Sequence, residues 1–236
     1  MSSSETHTAA TSTIARAVGI LVSPRSTFES VSAHPRWFGL TVLTTSVVAG
    51  VLAVFLSTSV GRQALVDQRV DLLETFGRTV GDSEYEAMLR GVGTLALQQV
   101  ALTAGALPLV GLGIAALAYV TLGSASTFGQ ILAVVAHSGV ILILRAVVVT
   151  PMNFFRESLS SPLNLGVLFP ALDEVGFLAF FLGTIDLFVV WWAVVLAIGL
   201  SVLYTRPWGW FATRVFAAYG LVASVLAGAR STLTIQ

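Results

Sequence analysis

Four side chains stand out for the chemistry they could do in otherwise charge-poor surroundings: Gln130, His137, Arg145 and Asp186. A charge inside a membrane span is costly, so an ionisable group there is a functional candidate. Gln130, His137 and Arg145 follow one another at spacings of seven and eight, which puts them on one face of a helix. Such a stripe suits a proton or ion path, with His137 as the titrating member. The same histidine also suits a simpler role, a single interhelical hydrogen bond. Asp186 opens a later apolar run whose start falls on the same side of a membrane as Arg145, at a depth that allows the two to pair. Two readings of these charges stand open. They form a functional intramembrane pair, or Asp186 complements a helix N-terminus while Arg145 reaches to the interface.

The other chemistry-bearing residues lead away from catalysis. His7, His34 and His137 are scattered, and no serine joins a histidine and a carboxylate in a recognisable constellation. The carboxylate pairs Asp173-Glu174 and Glu84-Glu86 fall at expected helix starts or solvated faces. No glycine-rich loop has a phosphate-binding pattern, and the absence of cysteine removes disulfides, thiolate chemistry and Cys-ligated zinc. The chain is therefore expected not to be an enzyme and to need no cofactor or metal. Gln98 and Gln99 read as polar packing within a span. Gly220, Ser224 and Gly228 repeat every four residues, the small-xxx-small spacing that lets helices approach closely. That face serves packing within the monomer or a homodimer, and the sequence does not separate the two.

These residues need helices in a membrane to position them. Of the 236 residues, 56% are apolar and 10% charged, against about 25% charged in a typical soluble domain. Net charge is zero and every basic residue is Arg, so no basic run exists to track a nucleic-acid backbone. A span takes about 20 apolar residues. Five stretches qualify, at 37–59, 91–122, 128–149, 184–204 and 210–228. Pro108 falls inside the second, Thr150-Pro151 is expected to stop the third, and Trp208 and Trp210 mark an aromatic belt at the start of the fifth. The fold class is an all-α polytopic membrane helix bundle with five transmembrane helices, interfacial helices and a polar helical hairpin.

Residues 1–13 read as a disordered tail, with a single membrane domain over 14–236. Ser26 and Glu29 have capping-box spacing, so a short helix is expected from Ser26 to Pro35 with Phe28 and Val31 facing the membrane. Between the first two spans, Val66, Val70, Leu73, Phe76 and Val80 recur at helical spacing among charges. Gly81-Asp82 is expected to break that helix, and Ser83 with Glu86 to cap the next, making a hairpin over 61–90. Residues 171–182, apolar but short, with Asp173 and Glu174 in the first turn, suit an interfacial helix. Arg16, Arg25 and Arg36 before the first span favour a cytoplasmic N-terminus, although Arg62, Arg69, Arg78 and Arg90 in the hairpin pull the other way.

Ile20-Leu21-Val22-Ser23-Pro24-Arg25-Ser26-Thr27-Phe28, followed by Pro35, resembles the opening of bacterial Yip-domain proteins. So does the segment from Gly183 through Asp186-Leu187-Phe188 to Trp191, running on into Ala197-Ile198-Gly199-Leu200. The run Phe128-Gly129-Gln130-Ile131-Leu132 and the five-span plan are similar as well. The resemblance implies a multi-span, non-enzymatic membrane protein, an adaptor or membrane-organisation factor in a bacterial cytoplasmic membrane. Its expected partners are membrane lipids and a protein or a second copy of the chain, with no nucleic acid. Eukaryotic members bind Ypt/Rab GTPases, but their Asp-Leu-Tyr-Gly-Pro motif has no counterpart here, so that partner is not carried over. A small transporter or channel along Gln130, His137, Arg145 and Asp186 is the alternative.

Overall fold

In lipid a backbone satisfies its hydrogen bonds within its own segment only as a helix, and the long uncharged runs of this chain all do so. The computed structural model describes residues 13–123, 125–172 and 176–234. Among the described residues there are helices and no strand. In chain order they are α1 (Thr13–Val22), α2 (Pro24–Ala33), α3 (Phe38–Ser57), α4 (Ser59–Thr75), α5 (Asp82–Leu122), α6 (Phe128–Ser138), α7 (Val140–Arg156), α8 (Phe177–Thr184), α9 (Leu187–Tyr204) and α10 (Trp208–Thr234). Five bodies are long and apolar enough to cross a bilayer: α3, α5, α6 with α7 as one run, α9 and α10. The chain is an integral membrane protein of polytopic helical architecture.

The ends of the spans sort into two levels. At one level the Tyr204 hydroxyl donates to the Gly123 carbonyl at 3.1 Å and Ser126 Oγ to that of Leu203 at 3.3 Å. At the other, Arg145 meets Asp186 and Arg230 meets Asp71. The centre of the bundle is α6, whose Ile131, Ala133 and Val134 are fully buried among residues of α2, α9 and α10 such as Phe28, Leu196 and Phe211. By contrast α5 turns Leu97, Leu102 and Val120 outward, as a peripheral helix in lipid does.

Several local expectations change. The N-terminal helix α2 begins at Pro24, with Ser23 as its cap residue and proline in the first position, where the missing N–H costs nothing. Ser26 and Glu29 therefore lie inside the helix. Ser26 Oγ donates to the Ser23 carbonyl, and Glu29 pairs with Arg25 at 3.5 Å. Phe28 and Val31 do not face the membrane; both are fully buried against the bundle. The close fit depends on Gly199, where a Cβ would stand 3.0 Å from the Phe28 ring and 2.5 Å from Val134 Cγ1. Apolar residues exposed instead are Ile14, Val18 and Val22, on one face of α1.

The hairpin turns earlier than the sequence suggests. α4 ends at Thr75 and Gly77 takes a left-handed φ of 74°, which glycine adopts without strain. α5 starts at Asp82 with Gly81 as its cap, so Ser83 sits in the first turn and does not cap. At the hairpin's base the chain corners from α3 into α4. Thr58 Oγ1 accepts from Gly61 N–H at 3.0 Å, and a Cβ on Gly61 would stand 2.1 Å from the Phe55 carbonyl oxygen. Val66, Leu65 and Ala64 then bury against Phe55, Leu56 and Val92 in a small second core.

The third span does not stop at Pro151. It bends at Gly139 and continues as α7 to Arg156, ending where Glu157 turns left-handed. Proline is tolerated in spans because neighbouring groups re-satisfy the freed carbonyl. The fourth span starts at Leu187, three residues later than expected, and the fifth runs from Trp208 to Thr234, longer at both ends. The interfacial helix is the eight-residue α8, shifted toward Thr184, with a 3-10 turn over Leu165–Leu168 beside it. Asp173 and Glu174, and all of the expected tail except Thr13, lie outside the described residues.

Candidate functional site

Asp186 is the cap residue of α9, and its place is fixed by the backbone on both sides. The segment before the 3-10 turn pairs with it in antiparallel fashion: Leu165 N–H donates to the Ile185 carbonyl at 2.9 Å and Leu187 N–H to that of Leu163 at 3.0 Å. Asp186 Oδ1 accepts from the backbone N–H groups of Phe188 (2.8 Å) and Val189 (3.3 Å), satisfying two orphan donors of the helix. That leaves Oδ2, which accepts from Arg145 Nε and Nη2, each at 3.0 Å, and from Ser161 Oγ. The Asp186 side chain is 8% exposed and that of Arg145 36%, so the pair is buried on the acid's side and open on the base's. Asn164 Nδ2 donates to the Ser161 carbonyl at 2.6 Å and holds the serine in reach.

A fourth element closes the site. Tyr219, on α10, donates its hydroxyl to the Thr184 carbonyl at 2.7 Å and accepts from Asp186 N–H at 3.2 Å. The carboxylate thus has its acceptor capacity filled by two backbone amides, a guanidinium and a hydroxyl, which is how a buried charge is made tolerable. Ser161 and Tyr219 were not among the residues singled out in the sequence. Neither is charged, and only the fold brings them to Asp186.

The other two members of the stripe are placed elsewhere. Gln130 completes a capping box with Thr127 at the start of α6 and donates through Nε2 to the Ser32 carbonyl at 3.0 Å, tying α6 to α2. His137 is buried, with Nδ1 2.7 Å from the Ala133 carbonyl oxygen one turn back on its own helix. Gln130, His137 and Arg145 share no hydrogen bond with one another among the described residues; each has a different partner. Gln99 lines the cleft described next, and Gln98 is exposed.

Beside the Arg145–Asp186 site lies a cleft of about 1060 Å³, bounded by α4, the 157–164 segment, α8 and α10. Ser161, Asn164 and Thr184 form its inner wall, so the network around Asp186 is reached from it. A smaller cavity of about 270 Å³ lies between α3, α5 and α6, lined by Trp37, Thr44, Pro108 and Trp192. Among the described residues no cluster of His and carboxylates has the arrangement to hold a metal ion.

These are the parts of a single membrane unit, and the sequence that builds it matches the Yip1 domain over residues 18–229. The chain belongs to the Yip1 domain family. The matched stretch runs from α1 into α10 and includes every residue of the Asp186 network. Yip1-domain proteins are in general non-enzymatic membrane proteins. No curated protein and no solved structure matches the chain at a significant level.

On the fifth span of this Yip1 domain, the small residues divide. Ala223 and Ala227 are fully buried, whereas a Cβ on Gly220 would meet nothing within 4 Å and one on Gly228 would only graze Phe177 at 4.0 Å. Ser224 Oγ donates to the Gly220 carbonyl of its own helix. The close helix contact within the monomer is made by the alanines one position away. At the start of the same helix Trp210 carries two guanidinium groups over its ring, Arg214 at 3.2 Å and Arg206 at 5.0 Å from the centroid.

Proposed function

We propose that this Yip1-domain protein is a non-enzymatic adaptor or membrane-organisation factor that docks partners on its extramembrane helical hairpin. The observation that carries the reading is the hairpin's construction. α4 leaves the bundle at the Gly61 corner and is braced by its own small core. The hairpin presents Glu74 and Glu86 outward on a rigid support. Gln130, His137 and Ser138, in contrast, engage backbone carbonyls, and Arg145 engages Asp186, as structural groups do. The chain sits in a bacterial cytoplasmic membrane with its N-terminus in the cytoplasm; α1 and α2 form a second partner surface there. Single cysteines at Glu74 and at lipid-facing Leu102, each carrying a photoreactive thiol reagent, test the reading in native membranes. Discrete protein adducts from position 74 but not 102 support it, and the same pattern from both positions contradicts it.

A transporter or channel is the second reading, favoured by one observation: Ser161, which bonds the Asp186 of the Arg145–Asp186 pair, lines a large cleft. Proteoliposomes loaded with a pH-sensitive dye decide this. Flux abolished by Arg145→Gln in a protein that remains folded supports transport, and flux equal to empty liposomes removes it.

A further inference from the structure

The cleft between the hairpin and the bundle has a composition that an empty solvent gap does not need. Its walls carry charges of both signs, Asp67, Asp71 and Glu157 against Arg69 and Arg230. They also carry Leu72 of α4 and Phe76 just past its end, which expose 46% and 63% of their surface. Leu226, on the lipid-facing side of α10, continues the apolar wall toward the bilayer. The whole arrangement lies at the level where α10 ends and α9 begins, beside Arg230 and Asp186. A ligand that fills it must present both signs of charge together and bring apolar chain with it, from the membrane side.

We propose that the cleft binds a zwitterionic phospholipid carrying a primary ammonium, with its phosphate on Arg230, its ammonium on Asp71, and its upper acyl chains against Leu72, Phe76 and Leu226. Charge selects among lipids. An anionic headgroup would meet three carboxylates, and a purely cationic one would meet two arginines. A guanidinium suits phosphate because its planar fork donates to two oxygens at once. A primary ammonium donates three hydrogen bonds, which the carboxylates and the hydroxyls of Ser158 and Ser160 can accept. A quaternary ammonium donates none and is held by aromatic cages. Here Phe180 already lies under Arg230, 4.9 Å from its guanidinium carbon. The Arg230–Asp71 bridge stands where the headgroup would go, and it is cheap to open: both side chains are largely exposed, and exposed pairs contribute little net stability. The headgroup replaces the bridge with the same two charges, each given a new partner. This inference does not depend on protein docking at the hairpin's outer face.

The test is native mass spectrometry of the delipidated full chain with equal amounts of dioleoyl phosphatidylethanolamine, phosphatidylcholine and phosphatidylglycerol. The expected result is preferential retention of the ethanolamine lipid. Asp71→Asn removes one charge-assisted bond and should weaken that lipid about tenfold, bringing it level with the choline lipid. Arg230→Gln should weaken all three through loss of the phosphate contact. Thermal melts of both variants in detergent, expected to match the parent, separate lost binding from lost fold. Equal retention of the three lipids, or an ethanolamine preference unchanged in folded Asp71→Asn, overturns the proposal; the first of these results would leave the cleft to a protein segment.

Discussion

Arg145 and Asp186 stand 41 positions apart in the chain and meet at 3.0 Å, through both Nε and Nη2 on a single carboxylate oxygen. The other oxygen of Asp186 caps α9. One residue therefore joins two spans and starts a helix, and the two duties can be separated by substitution. Asp186→Ala removes both and should cost about 2–3 kcal/mol: a cap worth ~1, plus a pair discounted from the ~3–5 of a fully buried one because Arg145 is partly open. Asp186→Asn keeps a good cap and should cost about 1 kcal/mol less. Melting of the two variants in nanodiscs gives the order, and equal melting of both with the parent would remove the pair from any structural account.

Tyr219→Phe tests the fourth element of the network. It strips the hydroxyl that the Thr184 carbonyl accepts from and that Asp186 N–H donates to, at a cost of about 1 kcal/mol. Because Tyr219 and Arg145 act through the same residue, the double variant Tyr219→Phe/Arg145→Gln should depart from additivity. A thermal-melt double-mutant cycle that adds to within experimental error would contradict the coupling.

Phe28→Ala discriminates a core residue from a lipid-facing one. Removing a buried aromatic side chain costs about 3–5 kcal/mol, whereas the same change on a lipid-exposed face leaves no cavity in the protein. The buried position of Phe28 predicts the large loss, and Gly199→Ala on the opposing helix should follow it with about 1–3 kcal/mol from overpacking. Unfolding in a denaturing detergent reads both, and wild-type behaviour of either would put α2 somewhere other than against α9.

The fifth span offers the complementary case. A Cβ on Gly220 meets nothing within 4 Å, so Gly220→Ala should leave monomer stability within about 0.5 kcal/mol, while Ala223→Leu, fully buried, should be clearly destabilising. If Gly220→Ala instead shifts the oligomeric state seen by light scattering, the Gly220, Ser224 and Gly228 face serves a second copy of the chain.

The sequence reveals most where membrane physics leaves little choice. Runs such as 37–59 have no charge to place and must span; a charge such as Asp186 is expensive enough in apolar surroundings to mark itself. It reveals least where two environments reward the same residue. Phe28 and Val31 suit a bilayer as well as a protein interior, and helical spacing cannot tell one apolar surrounding from the other. Pro151 reads as a stop only if its freed carbonyl stays unmet, which is a tertiary matter. Ser26-x-x-Glu29 has the spacing of a cap but follows a proline that starts the helix earlier. Ser161 and Tyr219 carry no charge to betray them, and their meeting with Asp186 depends on the loop pairing around Asn164.

The length of α5 has a mechanical consequence. Its 41 residues extend about 60 Å, twice the ~30 Å hydrocarbon core, so one continuous rod carries both the foot of the hairpin and the far end of the bundle. Pro108 interrupts its hydrogen-bond ladder and is the point at which the rod yields first. That same proline forms part of the wall of the cavity lined by Trp37 and Trp192. A bend at Pro108 would therefore move the wall of that cavity along with the hairpin.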